Sequence, residues 1–323
     1  MVPFAKTPVM KSNHLTPDTI DVVQSTHVLL GSTCFFALVF HIVNRLSDRY
    51  VRAYRDFSIP EQGDWCSRVN STIHALVVAT GMTYSFVQQK WDAHFLPTQE
   101  MPLQLAHTLF SFSCGYFLFD LVVLVLWQVP LWRVFVIHHV VAVLPYLIYT
   151  MHAGCGMDLY LLQLFLMVEF AVIPLNITTV LEQLGYGQSK THEFFFYTTY
   201  LFWFVARVLL PIYNVYVLWT KVIPDAAVAP ICTVPAAFCG HIIAAFCVGV
   251  FVFVWTPDVL AKWRVPVLQM EEYPDYMLTM RQSMTPRSNP ILSPMNSIDK
   301  WGTSYGTASD DSRESQWSVK LIA

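Results

Sequence analysis

Residues 115–150 read GYFLFDLVVLVLWQVPLWRVFVIHHVVAVLPYLIYT, with one acid and two adjacent histidines among aliphatic and aromatic side chains. Two apolar segments, 104–127 and 132–151, meet within this stretch, and each is long enough to cross a bilayer as a helix. Asp120 lies in the first segment, and His138 and His139 lie in the second. Because a charged group inside a membrane segment is costly, its presence indicates a partner or a function.

The composition of the whole chain indicates a membrane protein. Of its 323 residues 55% are hydrophobic and only 13% are charged, and the mean hydropathy is +0.46. A soluble domain carries about 25% charged residues, so this chain has too few to form a fully hydrated surface. The net charge of −3 argues against a nucleic-acid-binding protein, which would usually be basic.

Seven segments predict membrane-spanning helices, since lipid offers no hydrogen-bond partner for an open backbone. They are residues 26–46, 70–89, 104–127, 132–151, 157–181, 194–219 and 231–255. The second segment is the most polar, and we expect it to pack against neighbouring helices.

The seven cysteines include no C-x-x-C pair, and most lie in apolar runs. We therefore expect buried thiols instead of disulfides or a metal site.

The lysines and arginines predict the orientation of the chain, because they concentrate on the cytosolic side of membrane proteins. Nine lie on one side: Arg45, Arg49, Arg52, Arg55, Arg68, Arg133, Lys190, Lys262 and Arg264. Four lie on the other: Lys6, Lys11, Lys90 and Lys221. This asymmetry predicts a lumenal N-terminus and a cytosolic C-terminus.

Beyond about Tyr273 the composition, rich in Ser, Thr and Pro, predicts a disordered tail.

Polar groups in four of the predicted helices fall at similar depths, within about two helical turns along the membrane normal. They are Asp120, His138, His139, Glu169, Asn176 and Arg207. We expect them to share a polar chamber inside the bundle. Glu169 and Arg207 would neutralise each other. Asp120 would orient one imidazole and leave its other ring nitrogen free as a base or nucleophile.

Adjacent histidines on a helix point about 100° apart, so we expect only one of them to face the chamber. Single histidines elsewhere, at positions 41, 74, 107 and 241, are expected to be packing residues. No metal is expected, because the histidines lack an H-x-x-x-H spacing. Gly81 and Gly115 would allow close helix approach. A structural role, in which the polar groups only join helices, stays open for Glu169 and Arg207.

Four motifs occur in order along the chain: WCSRVNSTIHA at 65–75, GYFLFDL at 115–121, the pair His138-His139, and FWFVAR at 202–207. Together they resemble the TLC-domain family, named for the TRAM, Lag1 and CLN8 proteins. Glu169 with Pro174 and Asn176 is most similar to the TLC-domain-containing (TMEM56-like) branch. The resemblance divides the chain into three parts. Residues 1–63 hold one extra membrane helix, residues 64–257 form a TLC domain of six membrane helices, and residues 258–323 form a cytosolic tail.

The resemblance implies an endomembrane protein of lipid homeostasis, in the endoplasmic reticulum or a related membrane, that binds or modifies an acyl lipid in its chamber. The candidate catalytic residues are Asp120, His138 and His139, and the candidate substrate-binding residues are Glu169, Asn176 and Arg207. No resident cofactor is implied. Membrane lipids are the expected partners, with acyl-CoA or a sphingoid base as further substrates, and nucleic acid is not expected.

Two alternatives stay open. The first is a ceramide-synthase-like N-acyltransferase that uses acyl-CoA, with one histidine as base or transient acyl acceptor. Ceramide synthases carry a second His-Asp pair after the paired histidines, whereas residues 157–164 here read MDLYLLQL. The second is a non-catalytic lipid sensor or cargo receptor. A transporter is disfavoured, because the sequence shows no inverted repeat or paired broken helices.

Overall fold

The computed structural model describes residues 22–92, 95–152, 155, 158–225 and 230–264. Four long unbroken helices and one short one form the first part of this chain. They are α1 (Val22–Tyr50), the short α2 (Arg52–Arg55), α3 (Ile59–Gln88), α4 (Glu100–Trp127) and α5 (Trp132–Met151). A capping box begins α3, because the Ser58 backbone N–H donates to Glu61 Oε2 at 2.7 Å. The α4–α5 turn uses left-handed backbone at Gln128 and Leu131.

Three further long helices follow, and each changes its winding along its length. The fifth, Leu159–Gln183, consists of α6 (Leu159–Leu166), a 3₁₀ turn (Met167–Ala171) and α7 (Val172–Gln183). The sixth consists of α8 (Lys190–Trp203), a π segment (Phe204–Leu209), α9 (Leu210–Val217), a second π segment (Leu218–Val222) and a 3₁₀ turn (Ile223–Asp225). The seventh consists of α10 (Pro230–Val250), a π segment (Phe251–Trp255) and α11 (Thr256–Arg264).

The predicted all-α membrane fold is confirmed. Each predicted span corresponds to one of the long helices, and six of these are long and apolar enough to cross a membrane. The long helix that is not apolar enough to be counted among these six is α3, the segment expected to be the most polar. It packs against α1, α4 and α7, which bury its polar residues Asn70 and His74. The final helix continues through Arg264, beyond the expected domain boundary at 257. Residues 1–21 and the predicted disordered tail from 265 onward lie outside the described residues.

The extra N-terminal helix α1 is held to the bundle mainly by α4. Ser32 Oγ of α1 donates a hydrogen bond to the Phe112 carbonyl of α4 at 2.6 Å. A further hydrogen bond comes from α3, where Asn70 Nδ2 donates to the Phe36 carbonyl of α1 at 3.0 Å. The close approach depends on Gly115, because a Cβ at this position would lie 2.6 Å from the Ser32 Cβ. The sequence-based role of this glycine is therefore confirmed.

The expectation that no cysteines form a disulfide is wrong for two of them. Cys155, just before α6, is joined to Cys232 in the first turn of α10. Four of the five free cysteines are buried thiols, as expected, and Cys34 is exposed. The disulfide lies at the end of the bundle where α5 finishes and α10 begins, which is the predicted lumenal end. Disulfides persist in oxidising compartments, so this bond agrees with the predicted orientation.

Substitution of Gly115 tests the packing of α1 on α4. Gly115→Ala is expected to destabilise the protein by about 1–3 kcal/mol, because backbone and Cβ atoms of α1 must move to admit the methyl group. The matched control is Gly31→Ala, since nothing lies within 4 Å of a Cβ at that helical position. Thermal unfolding in detergent measures both. Equal melting temperatures for the two variants would contradict this account of the interface.

Candidate functional site

A cavity of about 130 Å³ lies inside the bundle and is lined by residues of α3, α4, α5 and the three broken helices. We call it the polar cavity. It contains all six of the predicted site residues, Asp120, His138, His139, Glu169, Asn176 and Arg207. The expectation that their side chains converge on one interior space is met. Both histidines line the cavity, so the expectation that only one would do so is wrong.

Asp120 and His139 form the tightest pair in the polar cavity. Asp120 Oδ2 lies 2.9 Å from His139 Nε2, and Asp120 Oδ1 accepts a hydrogen bond from Ser67 Oγ at 2.5 Å. His139 Nδ1 lies 2.8 Å from the Phe135 carbonyl oxygen, one helical turn earlier in α5. A carbonyl oxygen can only accept, so Nδ1 carries a proton and Nε2 faces the carboxylate.

His139 therefore has no ring nitrogen available for chemistry, which corrects the expectation that the imidazole held by Asp120 would keep one free. The available imidazole belongs to His138 instead. Its Nδ1 is buried and has no hydrogen-bond partner among the described residues. Its ring packs on Phe246 with centroids 5.2 Å apart. Of the two histidines, His138 keeps a ring nitrogen without a partner among the described residues, whereas His139 is held by Asp120 and Phe135.

Glu169 and Arg207 form a second pair in the polar cavity. Arg207 Nη2 lies 3.5 Å from Glu169 Oε1, and the guanidinium lies 4.8 Å from the centroid of the Trp203 ring. The sequence-based pairing of these two residues is confirmed. Glu169 is on the 3₁₀ turn of the fifth helix, and Arg207 is on the first π segment of the sixth. Such departures from α geometry often occur at functional sites, because they change the direction of a side chain.

His74 was expected to be a packing residue, and it does pack in the core. Its ring stacks on Tyr116 with centroids 4.0 Å apart, and its Nε2 hydrogen-bonds Ser113 Oγ at 3.1 Å. Its Nδ1 also lies 3.8 Å from Glu169 Oε2, whereas Arg207 lies near the other carboxylate oxygen, Oε1. His74 therefore contributes to the surroundings of the buried acid, although it does not line the polar cavity.

The sequence reasoning missed a third charged pair, which α3 contributes. Arg68 Nε donates to Asp64 Oδ2 at 2.8 Å, and Gln183 Nε2 donates to the same oxygen at 2.8 Å. Asn176 joins this group, because its Nδ2 donates to the Arg68 carbonyl at 3.2 Å. Arg68 lies within α3, although the predicted second span begins only at residue 70. The i, i+4 spacing of an acid and a base was the available signal, since such residues meet on one helix face.

A second, smaller space adjoins the polar cavity on the side of α5, α6 and α10. Aliphatic residues such as Val141, Leu162 and Ile243 line it, and we call it the apolar pocket. Phe117, His138 and Glu169 line both spaces. The imidazole of His138 therefore lies at the junction between a charged compartment and an apolar one. No group of three or more histidine, cysteine or acidic residues that could hold a metal occurs within the described part of the chain.

The comparison with known families agrees with this arrangement of helices and polar residues. The family model of the TLC domain matches residues 64–270, which is more than half of the chain. The chain belongs to the TLC-domain family. The match begins at Asp64 and includes every residue of the polar cavity, while α1 precedes it. The matched range ends 13 residues beyond 257, the end that the sequence predicts for the domain.

Curated relatives match part of this chain. TLC domain-containing protein 4 of Xenopus tropicalis is 32% identical over 121 residues, which are 37% of this chain and 46% of the relative. TLC domain-containing protein 4 of Homo sapiens is 29% identical over 132 residues, which are 38% and 48% of the two chains. The matched part thus spans about half the length of these relatives. No solved structure is significantly similar to this chain.

A double-mutant cycle tests the Glu169–Arg207 pair. Arg207→Met leaves a buried carboxylate unpaired and is expected to destabilise the protein by about 3–5 kcal/mol. Adding Glu169→Gln removes that charge, so the double variant is expected to be more stable than Arg207→Met alone. Unfolding in mixed micelles measures the free energies.

The control for this cycle is Glu182→Gln, which interrupts the Glu182–His192 pair at a side chain that is 53% exposed. Its expected effect is below about 1 kcal/mol, because water screens an exposed pair. Additive effects of Arg207→Met and Glu169→Gln would contradict a direct interaction between the two side chains.

Proposed function

We propose that this TLC-domain protein binds and modifies an acyl lipid within the membrane, and that it thereby contributes to lipid homeostasis. The observation that supports this proposal is that three residues, Phe117, His138 and Glu169, line both the polar cavity and the apolar pocket. A polar head group and the adjoining part of an acyl chain can therefore occupy contiguous spaces. A site that accepts both parts suits an amphipathic ligand, since each part then lies among groups of matching polarity.

Acyl transfer is the reaction that these residues support best, and the unpartnered Nδ1 of His138 is the observation that favours it. A ring nitrogen of His138 would attack the carbonyl carbon of an acyl thioester such as acyl-CoA, and the thiolate would leave with a proton. An amine or hydroxyl of a second substrate would then attack the acyl-imidazole, lose its proton and release the histidine. His139 and Asp120 would position this part of α5 through their own hydrogen bond.

A non-catalytic lipid sensor or cargo receptor is the second candidate. The observation that favours it is the complete pairing of the three carboxylates that line the polar cavity. Paired acids hold helices together and need no reaction to account for them. The two candidates share the lipid site and differ in whether a bond to His138 forms.

The proposed location is the endoplasmic reticulum or a related endomembrane, with the C-terminus in the cytosol. Two independent features support this orientation. Nine of the thirteen lysines and arginines that the sequence analysis assigns to a side belong to one side, and the Cys155–Cys232 disulfide lies at the opposite end of the bundle. Basic residues favour the cytosol, and disulfides favour an oxidising lumen, so both features give the same direction. Asp64 and Arg68 would then be near the cytosolic mouth of the polar cavity.

Replacement of His138 tests the proposed function. Cells lacking the protein are expected to regain their normal lipid profile with the wild-type chain but not with His138→Ala, because the group at the junction of the two spaces is lost. His41→Ala is the matched control, since His41 is exposed on α1 and far in sequence from the site. Lipidomics measures the recovery. Full recovery with a stably expressed His138→Ala would remove His138 from the function.

Engineered glycosylation tests the orientation. An Asn-Gly-Thr cassette with flexible flanks is expected to be glycosylated when inserted into connection 89–99, between α3 and α4, because this connection is assigned to the lumen. The same cassette in connection 184–189, between α7 and α8, is expected to stay unmodified. Gel mobility before and after endoglycosidase treatment measures the modification. The reverse pattern would invert the proposed orientation.

A further inference from the structure

The charges that line the polar cavity are balanced pair by pair. Its carboxylates are Asp64, Asp120 and Glu169. Arg68 lies 2.8 Å from the first, His139 lies 2.9 Å from the second, and Arg207 lies 3.5 Å from the third. The other ionisable residues of the lining are Tyr116 and His138, and no acid within the described residues forms an ion pair with His138.

The middle pair is neutral wherever its proton resides. His139 Nδ1 holds one proton against the Phe135 carbonyl, and the hydrogen bond between Nε2 and Asp120 contains one more. If that proton is on Nε2, an imidazolium faces a carboxylate. If it is on Asp120, a neutral imidazole faces a neutral acid. The pair has no net charge in either form.

The outermost pair is the one that an incoming head group meets first from the proposed cytosolic mouth. The side chains of Arg68 and Asp64 are only 11% and 12% exposed. Arg68 Nη1 lies 3.4 Å from Asn176 Oδ1, and Asp64 also accepts from Gln183. A phosphate would have to compete with Asp64 for the guanidinium, and it would leave a buried carboxylate without its cation. Such separation of a buried pair is strongly unfavourable.

From this balance we propose that the polar cavity selects acyl lipids whose head group is polar but uncharged, such as a hydroxyl, ester or amide. This inference rests on the proposed function and names its substrate class. A phosphate finds no uncompensated cation in the cavity, and an ammonium finds no uncompensated carboxylate. An uncharged group can hydrogen-bond to His138 without separating any pair. If acyl-CoA enters, its thioester fits this rule, and its phosphates remain outside the cavity.

Photo-crosslinking of the full-length protein in phosphatidylcholine vesicles tests the selection. Three trace probes carry the same acyl chain with a diazirine near the head: a diacylglycerol, a phosphatidic acid and a long-chain primary amine. Mass spectrometry quantifies labelled peptides that contain Phe117, His138 or Glu169. The diacylglycerol probe is expected to label them about tenfold more than either charged probe, which corresponds to about 1.4 kcal/mol.

Two variants should change the preference in opposite directions, which a loss of folding cannot imitate. Asp64→Asn removes the partner of Arg68, so labelling by the phosphatidic acid probe is expected to rise about tenfold over the wild type. Arg68→Gln leaves Asp64 without its cation, so labelling by the amine probe is expected to rise instead. Glu182→Gln is the matched control, because it removes an acid of another ion pair outside the cavity lining. It should leave all three labelling ratios unchanged.

The outcomes separate this inference from the function on which it rests. If a charged probe labels the wild-type site as well as the diacylglycerol probe, the selection is overturned while lipid binding stands. The same follows if folded Asp64→Asn and Arg68→Gln keep the wild-type preference. If no probe labels these peptides above the exposed face of α1, lipid binding at this site fails and the selection fails with it.

Discussion

A carboxylate and a guanidinium can remain charged inside a bundle of apolar helices only when they neutralise each other. Glu169 and Arg207 satisfy this condition, and they join the two helices at the points where regular α geometry is interrupted. The 3₁₀ turn and the π segment therefore lie against each other, and the fifth and sixth helices have a fixed relative position. The polar cavity is the space that this arrangement leaves beside α3, α4 and α5.

The sequence predicted the cavity residues inside the apolar segments better than those of α3, and the cost of a charge in lipid explains the difference. Asp120, Glu169 and Arg207 stand out because apolar residues surround them, so their cost is visible from the sequence alone. Asp64, Ser67 and Arg68 were missed because they lie near the end of a polar helix, where charged residues are ordinary. The Cys155–Cys232 bond was missed because its partners are 77 residues apart, and their proximity follows from the packing of α10 beside α5.

The two histidines differ in chemistry although they are neighbours in one helix. His139 has both ring nitrogens engaged, and its hydrogen bond to Asp120 joins α5 to α4. His138 borders the polar cavity and the apolar pocket and keeps an unpartnered nitrogen. The residue with the stronger partners is therefore the one that holds the site together. Its less constrained neighbour is the one with capacity to meet a ligand.

The covalent bond between Cys155 and Cys232 also bears on how the protein matures. It connects the start of the fifth helix with the start of the seventh, so it can form only after the chain has been synthesised beyond residue 232. A chain inserted in the orientation opposite to the proposed one would expose both thiols to the reducing cytosol and would not form this disulfide. In the proposed orientation, the bond would therefore mark chains that have been synthesised beyond residue 232 with both cysteines on the lumenal side.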